Sequence, residues 1–157
     1  MDKTDKKILI ELQENGRITN AELAKRVGLS PAPCLERVKK LEKQGIIKGY
    51  YAKLDTEKIG IGVETFVVVT LSRHKHDAIT EFIDAIQSVP EIIECSYITG
   101  RADFILRVTA ENMKAYEDFL LHKLSKLPGL QHVETMMIMS NIKETRKYPI
   151  NSDKSKD

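Results

Sequence analysis

The stretch TNAELAKRVGLSPAPCLERVKKLEKQG, residues 19–45, decides the fold of the N-terminal third of the chain. Thr19 and Glu22 form the pattern of a capping box, in which two side chains satisfy free backbone donors at a helix start. That helix ends at Gly28, and after a very short turn Ser30 caps the next helix, which has proline at its first position. Two short helices joined by a tight turn that contains glycine are typical of a helix-turn-helix.

A further helix is predicted upstream of this stretch. Asp2 and Asp5 place negative charge where it favours a helix start. Apolar residues then recur at helical spacing until Asn15-Gly16 supplies a stop; they are Ile8, Leu9 and Leu12. The order of three helices predicts that the last one is the recognition helix of a DNA-binding domain.

The predicted recognition helix has two chemically different faces. Leu35, Val38 and Leu41 recur at helical spacing and are expected to point inward. The opposite face carries apolar, acidic and basic side chains: Ala32, Pro33, Glu36, Arg37, Lys39 and Lys40. We expect Arg37 to contact a base, because its planar fork pairs with guanine in the major groove, and the two lysines to meet phosphates.

Residues 46–54, IIKGYYAKL, alternate apolar with basic or polar side chains, and this pattern predicts a short hairpin. Such a hairpin is the wing of a winged helix-turn-helix, and its lysines are expected to contact the DNA backbone. The expected DNA-binding residues are therefore Ser30, Ala32, Pro33, Glu36, Arg37, Lys39, Lys40 and Lys48.

The charge of the chain is divided unevenly between its two parts. Up to Lys53 there are twelve basic and seven acidic residues, which gives a net charge of +5, whereas the remainder has thirteen basic and sixteen acidic residues and a net charge of −3. A basic N-terminal part is expected if that part alone meets a polyanion such as double-stranded DNA. The alternative is that these cations merely solvate a three-helix bundle.

Length and composition exclude several classes of protein. A chain of 157 residues with 41% hydrophobic residues fits one ordinary domain or two small ones. No apolar run approaches the roughly 18 residues of a membrane span, and the polar start at residues 1–5 does not match a signal region, so a cytoplasmic protein is expected. Cys34 and Cys95 are too few for a disulfide framework and are expected to be packed and reduced. No metal and no cofactor are expected.

A cluster at His74, Lys75, His76 and Asp77 is the strongest argument for an enzyme. It has no nucleophile at a characteristic spacing and too few ligands for a metal site, so a solvated loop is the preferred interpretation. We therefore expect a protein without catalytic activity.

The C-terminal two thirds of the chain predict a second domain. A β-rich run at residues 65–71 is followed by an apolar helical stripe formed by Ile79, Phe82, Ile83 and Ile86. Strands are predicted at 92–99 and 104–109, then a helix from Met113 that is stopped by Pro128-Gly129, then a strand at 133–142. The order β-α-β-β-α-β predicts an α+β fold, a ferredoxin-like sandwich with two helices on one face of an antiparallel sheet.

The second face of that sheet is expected to meet another copy of the chain. One layer of helices covers a single side, so apolar residues that point away from the helices predict dimerisation of sheet against sheet. A two-fold dimer carries paired recognition helices, which implies a roughly palindromic operator with half-sites about one helical turn or a multiple apart.

Residues 30–50, SPAPCLERVKKLEKQGIIKGY, resemble the recognition segment of the leucine-responsive regulatory protein/AsnC (Lrp/AsnC) family of transcription regulators. Residues 15–29, NGRITNAELAKRVGL, are also similar to that family, and the similarity continues more loosely to about Ile150. The resemblance implies dimers formed through the C-terminal domains, often assembled into octamers, and an effector pocket between adjacent dimers.

The resemblance also indicates where an effector binds. Residues 99–103, TGRAD, fall where the family carries a Gly-x-x-Asp turn beside its pocket, although Ala102 stands where an aromatic residue is common. Backbone amides at Gly100 are expected to receive a carboxylate and Asp103 to pair with an α-ammonium group, with Arg101 as an alternative carboxylate partner. The last strand lines the pocket in the family, which adds Thr135, Met136 and Met137. The alternatives are an ordinary hairpin turn and methionines that pack in the core or an interface.

The sequence thus predicts a sequence-specific DNA-binding regulator whose binding or assembly responds to an amino acid, such as leucine or another apolar one. The alternative is a nonspecific architectural DNA-binding protein whose C-terminal domain only oligomerises. We expect a winged helix-turn-helix at residues 1–54, a linker at 55–64, a ferredoxin-like effector-binding and oligomerisation domain at 65–150, and a disordered tail at 151–157.

Overall fold

The computed structural model describes residues 1–72 and 77–151. The cluster at His74 and His76 and the tail from residue 152 onward lie outside these residues. The described residues divide into two units, one formed by Met1–Lys53 together with residues 143–151, and one formed by the described part of Leu54–Ile142. We call them the N-terminal unit and the sheet unit.

Three helices form the N-terminal unit: α1 at Lys3–Glu14, α2 at Asn20–Val27 and α3 at Pro31–Lys43. A complete capping box starts α1, because the Asp5 amide donates to Asp2 Oδ1 at 2.8 Å and the Asp2 amide donates to Asp5 Oδ2 at 3.0 Å. Their shared core consists of Ile8, Leu23, Ala24, Val27, Cys34 and Leu41. The predicted order of three helices is confirmed.

The helix caps differ in part from the sequence prediction. Thr19 Oγ1 accepts from the Glu22 amide at 3.2 Å, but the Glu22 carboxylate accepts from Arg26 instead of returning to the cap. The i, i+4 ion pair on the same helix competes with the second half of the capping box. Ser30 occupies the cap position of α3 without a side-chain cap bond, and Gly28 ends α2 with φ +74°.

The buried face of α3 is rotated from the predicted one. Cys34 and Leu41 are buried, and Val38 packs against the core. Leu35, in contrast, is 40% exposed. The prediction that Leu35 points inward is wrong, because Cys34 takes the inward position one residue earlier. Burial raises the pKa of the Cys34 thiol, which fits the predicted role in packing.

The predicted wing hairpin is not formed. Residues 46–54 contain no strand and follow α3 as an irregular segment. Ile47 packs against the three-helix core, and the Tyr50 hydroxyl donates to Glu42 Oε1 at 3.0 Å. Contacts made back to the helices, rather than strand pairing, therefore hold this segment.

Four strands and two helices form the sheet unit. The strands are β1 at Val63–Leu71, β2 at Ile92–Tyr97, β3 at Phe104–Ala110 and β4 at Leu130–Met137, and the helices are α4 at Asp77–Ile86 and α5 at Met113–His122. All pairings are antiparallel, and the strand order is β2-β3-β1-β4. The predicted β-α-β-β-α-β order is confirmed, and α5 is followed by a short 3-10 turn at Leu124–Lys126.

One face of this sheet and the helices enclose the core. Every second residue of β1 and of β3 is buried, as period-two alternation requires. The largest buried side chains of this unit are Phe82, Phe104, Phe119, Leu106, Val67, Val69 and Val108. Ile83, which the sequence places on the buried stripe, is instead exposed on the outer side of α4.

The boundaries of the units also differ from those expected. β1 begins at Val63, inside the expected linker, and β4 ends at Met137 rather than at residue 142. The segment 143–150 belongs to the N-terminal unit and not to the second domain. There Gln13 Oε1 accepts from the Tyr148 amide at 2.6 Å, Gln13 Nε2 donates to the Tyr148 carbonyl at 3.2 Å, and Lys147 pairs with Glu14.

Candidate functional site

The outer side of α3 exposes a mixed polar surface. Its exposed residues include most of the predicted DNA-binding set, namely Ser30, Ala32, Pro33, Glu36, Lys39 and Lys40, together with Lys43. Lys48 is exposed on the segment after the helix. Because the inner side of α3 is fixed by Cys34 and Leu41, the outer side is presented on a rigid support.

Arg37 does not belong to this surface. Its Nη1 atom donates to Asp2 Oδ2 at 2.5 Å and to Asp5 Oδ1 at 2.7 Å, so the guanidinium turns toward the first turn of α1. Bonds from the Asp5 backbone and then from Arg37 lower the pKa of Asp2, and bonds to Asp2 and Asp5 raise the pKa of Arg37. In this geometry the guanidinium joins α3 to α1, and the base contact of Arg37 stays a prediction.

Two further contacts fix the helices relative to one another. Asn20 Nδ2 donates to the Pro31 carbonyl at 2.8 Å and so joins the start of α2 to the start of α3. Arg26 Nη1 lies 3.1 Å from Glu11 Oε2 and joins α2 to α1. Neither role is evident from the sequence; the only signal for Asn20 is an amide directly after a helix cap, where the two helices come close.

Glu36 and Lys39 are neighbours on the exposed side of α3. Glu36 Oε1 lies 3.4 Å from Lys39 Nζ, and both side chains are largely exposed. An ion pair of this kind contributes little to stability because solvent screens it. Both groups therefore stay available to an incoming partner.

The Tyr50 side chain lies beside the end of α3. Burial, followed by the bond to Glu42, raises the pKa of Tyr50 to about 12. The phenol is therefore neutral at physiological pH and acts as a donor that anchors the segment carrying Lys48.

The predicted effector turn is closed by Asp103. Asp103 Oδ2 accepts from the Leu71 amide at 2.8 Å, the Asp103 amide donates to the Val69 carbonyl at 2.9 Å, and the Asp103 carbonyl accepts from the Ile98 amide at 2.8 Å. Gly100 has φ +131°, a backbone conformation that favours glycine, and Arg101 is exposed. Asp103 thus joins three segments at one end of the sheet.

The predicted effector residues on β4 do not share one face. Thr135 lies opposite Val67 and its hydroxyl bonds to that of Tyr116 at 2.8 Å, so it faces the helices. Met136 lies opposite Phe66 on the other face, and Met137 lies opposite Thr65. Six residue steps along β1 lead from Thr65 to Leu71, which corresponds to about 20 Å. The structure therefore does not bring Met137 and the turn together within one chain.

The sheet face turned away from the helices carries an apolar patch beside an ion pair. Phe66 is 38% exposed and its neighbours on this face are Val68, Ile105 and Met136. Arg107 Nη2 lies 2.6 Å from Glu64 Oε2, and Arg107 Nε is buried without a hydrogen-bond partner. We call Phe66, Val68, Ile105 and Met136 the open-face patch.

Two family models match the chain, one for each unit. A winged helix-turn-helix DNA-binding model matches residues 1–48, and the Lrp/AsnC ligand binding domain matches residues 64–148. The chain belongs to the Lrp/AsnC family. It is a transcription regulator with a DNA-binding helix-turn-helix and a ligand-binding domain, not an enzyme.

Relatives of known identity match this Lrp/AsnC family member over almost its full length. The leucine-responsive regulatory protein of Escherichia coli strain K12 is 42% identical over 150 residues, which are 96% of this chain and 92% of the relative. A transcriptional regulator from Neisseria meningitidis, solved as a complex with L-methionine, is 40% identical with a TM-score of 0.91 and covers 96% of this chain and 97% of that one. Escherichia coli AsnC is 28% identical with a TM-score of 0.85, over 95% and 99% of the two chains.

Within residues 1–72 and 77–151 of this regulator, no helix combines the length and the apolar character that crossing a bilayer requires. The same residues contain no group of three or more His, Cys, Asp or Glu side chains placed to hold a metal ion.

Proposed function

We propose that this Lrp/AsnC family regulator binds operator DNA sequence-specifically through the outer side of α3, and that an amino acid modulates this binding or the assembly of the protein. The exposed basic surface at Lys39, Lys40 and Lys43 supports the DNA part most directly. These lysines and Lys48 contact phosphates, while residues nearer the start of α3 meet base edges.

The effector is an apolar amino acid such as leucine or methionine. The regulator solved with L-methionine supports this class of ligand. In the proposed site the backbone around Gly100 receives the carboxylate, and Asp103 Oδ1 receives the ammonium group, since Oδ2 already accepts from Leu71. Met137 of one chain is too far from the turn of the same chain, and Met136 lies on the opposite face from Thr135, so the apolar wall comes from another copy.

The same arrangement requires an oligomer. Two copies pair through the open-face patch to form the homodimer, and adjacent dimers complete the effector site in a larger ring, with an octamer as the expected size. A ligand that sits between copies couples its own binding to assembly, which is the thermodynamic basis of regulation.

A DNA titration at several salt concentrations, with and without a panel of amino acids, tests both parts. Specific binding is expected to weaken as salt rises, because cations are released from the phosphates that the protein neutralises. An apolar amino acid is expected to shift affinity or assembly. Binding that ignores both operator sequence and every amino acid would instead identify a nonspecific architectural protein.

A further inference from the structure

The outer side of α3 contains one continuous stripe of residues. Ala32, Glu36, Lys39 and Lys43 recur at spacings of four, three and four, so they lie one above another on the helix. All four are exposed, and they lie opposite the buried Cys34 and Leu41. A recognition helix that enters the major groove with its first turns foremost presents Ala32 and Glu36 to base edges before the two lysines.

The side chains in these first turns differ in how well each can read a base. Arg37, the side chain best suited to guanine, is bound by Asp2 and Asp5. Ser30 has a hydroxyl that both donates and accepts, so it discriminates poorly between bases. Ala32 offers a methyl group. Glu36 remains as a charged polar side chain that points outward, and an ionised carboxylate accepts hydrogen bonds without donating any.

We propose that Glu36 is a specificity-determining residue that selects cytosine in each half-site by accepting a hydrogen bond from the N4 amino group in the major groove. This inference rests on the proposed function, because it assigns a base to the helix proposed to bind DNA. Guanine and thymine present acceptors at the same depth of the groove and repel the carboxylate, while adenine presents a donor next to an acceptor.

The negative charge of Glu36 is compatible with the DNA surface. Lys39 Nζ lies 3.4 Å from Glu36 Oε1 and offsets part of the repulsion from phosphates. Arg37 acts as a positioning residue, since its two bonds to α1 fix the rotation of the helix that presents Glu36.

Selection of binding sites from a random DNA library by the full-length protein tests this assignment. The wild-type protein is expected to enrich one cytosine per half-site, with about tenfold preference over guanine or thymine. Glu36→Gln is expected to move that preference to adenine, because an amide both donates and accepts and matches adenine N6 and N7. Glu36→Ala is expected to lose discrimination at this position alone.

Glu42→Gln is the matched control, because it removes the same charge from the same helix while its side chain lies beside Tyr50. It is expected to leave the selected sequence unchanged. A second measurement replaces the selected cytosine by a pyrimidinone that lacks the amino group. This base is expected to weaken wild-type binding about tenfold and to leave Glu36→Ala binding unaffected.

The outcomes separate the two levels of the proposal. If the wild-type protein enriches a sequence and Glu36→Gln enriches the same one, the assignment of Glu36 is overturned while sequence-specific binding stands. If the wild-type protein enriches no sequence, the proposed function fails and the base assignment fails with it.

Discussion

The outer side of α3 and the turn at residues 100–103 differ in how one chain uses their polar groups. On α3, the side chain that joins elements together is Arg37, and its neighbours Glu36 and Lys39 remain exposed to a partner. In the turn, Asp103 joins three segments and offers a partner one remaining carboxylate oxygen. In the proposed function, one chain therefore supplies the whole DNA-binding surface, whereas the effector site is completed by a second copy.

The largest expected effect is the loss of dimerisation when the open-face patch is disrupted, because this change should affect the effector site more than the DNA surface. Phe66→Glu places a charge in the proposed dimer interface and is expected to weaken dimerisation by about a hundredfold, because an unpaired charge is costly to bury. Sedimentation across a concentration series measures it. The effector response should disappear with the dimer, while weak, salt-dependent DNA binding by the monomer should remain.

Ile83→Glu is the matched control for this change. Ile83 is 40% exposed, close to the 38% of Phe66, but it lies on the outer side of α4. It is expected to leave the dimer intact. If both variants dissociate, or if neither does, the assignment of the interface to the open-face patch is contradicted.

Removal of the Arg37 guanidinium is expected to be the next largest effect. Arg37→Ala leaves the buried Asp5 carboxylate without a cationic partner and is expected to lower the free energy of unfolding of the N-terminal unit by about 1–2 kcal/mol. Urea denaturation followed by the helical signal measures this loss. DNA affinity should fall together with this stability; a changed base preference with unchanged stability would return Arg37 to the role of base reader.

Two substitutions at Asp103 distinguish structure from ligand binding. Asp103→Ala removes the acceptor for the Leu71 amide and is expected to cost about 1 kcal/mol of stability. Asp103→Asn keeps an oxygen acceptor and loses the charge, so stability should be retained while amino-acid affinity falls. Calorimetry with leucine and methionine, beside a denaturation curve, measures both; full affinity in the asparagine variant would remove Asp103 from the effector site.

Low pH is expected to produce the smallest change in stability, through the carboxylate of Asp2 at the start of α1. The pKa of Asp2 is lowered in the folded chain from an ordinary value of 3.8, so its contribution is present above about pH 4 and is lost as pH falls through the folded pKa. The stability difference between wild type and Asp2→Asn should therefore shrink between pH 5 and pH 3. A difference that stays constant over this interval would show that the charge of Asp2 does not stabilise the fold.

The order and type of the elements could be predicted because they depend on local features. Apolar periodicity, the cap at Thr19 and the glycine at residue 28 act over a few residues and are visible in the sequence. The rotation of α3 about its axis was harder to predict from the sequence. Cys34 and Leu35 are adjacent apolar residues, and hydrophobicity alone does not decide which of them enters the core.

The predicted wing shows the same limit. Alternation in residues 46–54 fits a hairpin, yet contacts of Ile47 with the core and of Tyr50 with Glu42 take precedence over strand pairing. In the structure, Arg37 and Asp103 bond to partners that are 32 or more residues away in sequence. Such partners are not visible in a local pattern.

By itself, the sequence determined three helices followed by a β-α-β-β-α-β domain, a basic N-terminal part, and membership of a family of DNA-binding regulators. The tertiary structure decided which side chains remain for partners, because hydrogen bonds and ion pairs between distant residues consume some groups and leave others exposed. Arg37 and Glu36 are adjacent in sequence but differ in their environment. The first is held by Asp2 and Asp5 from another helix, and the second faces solvent.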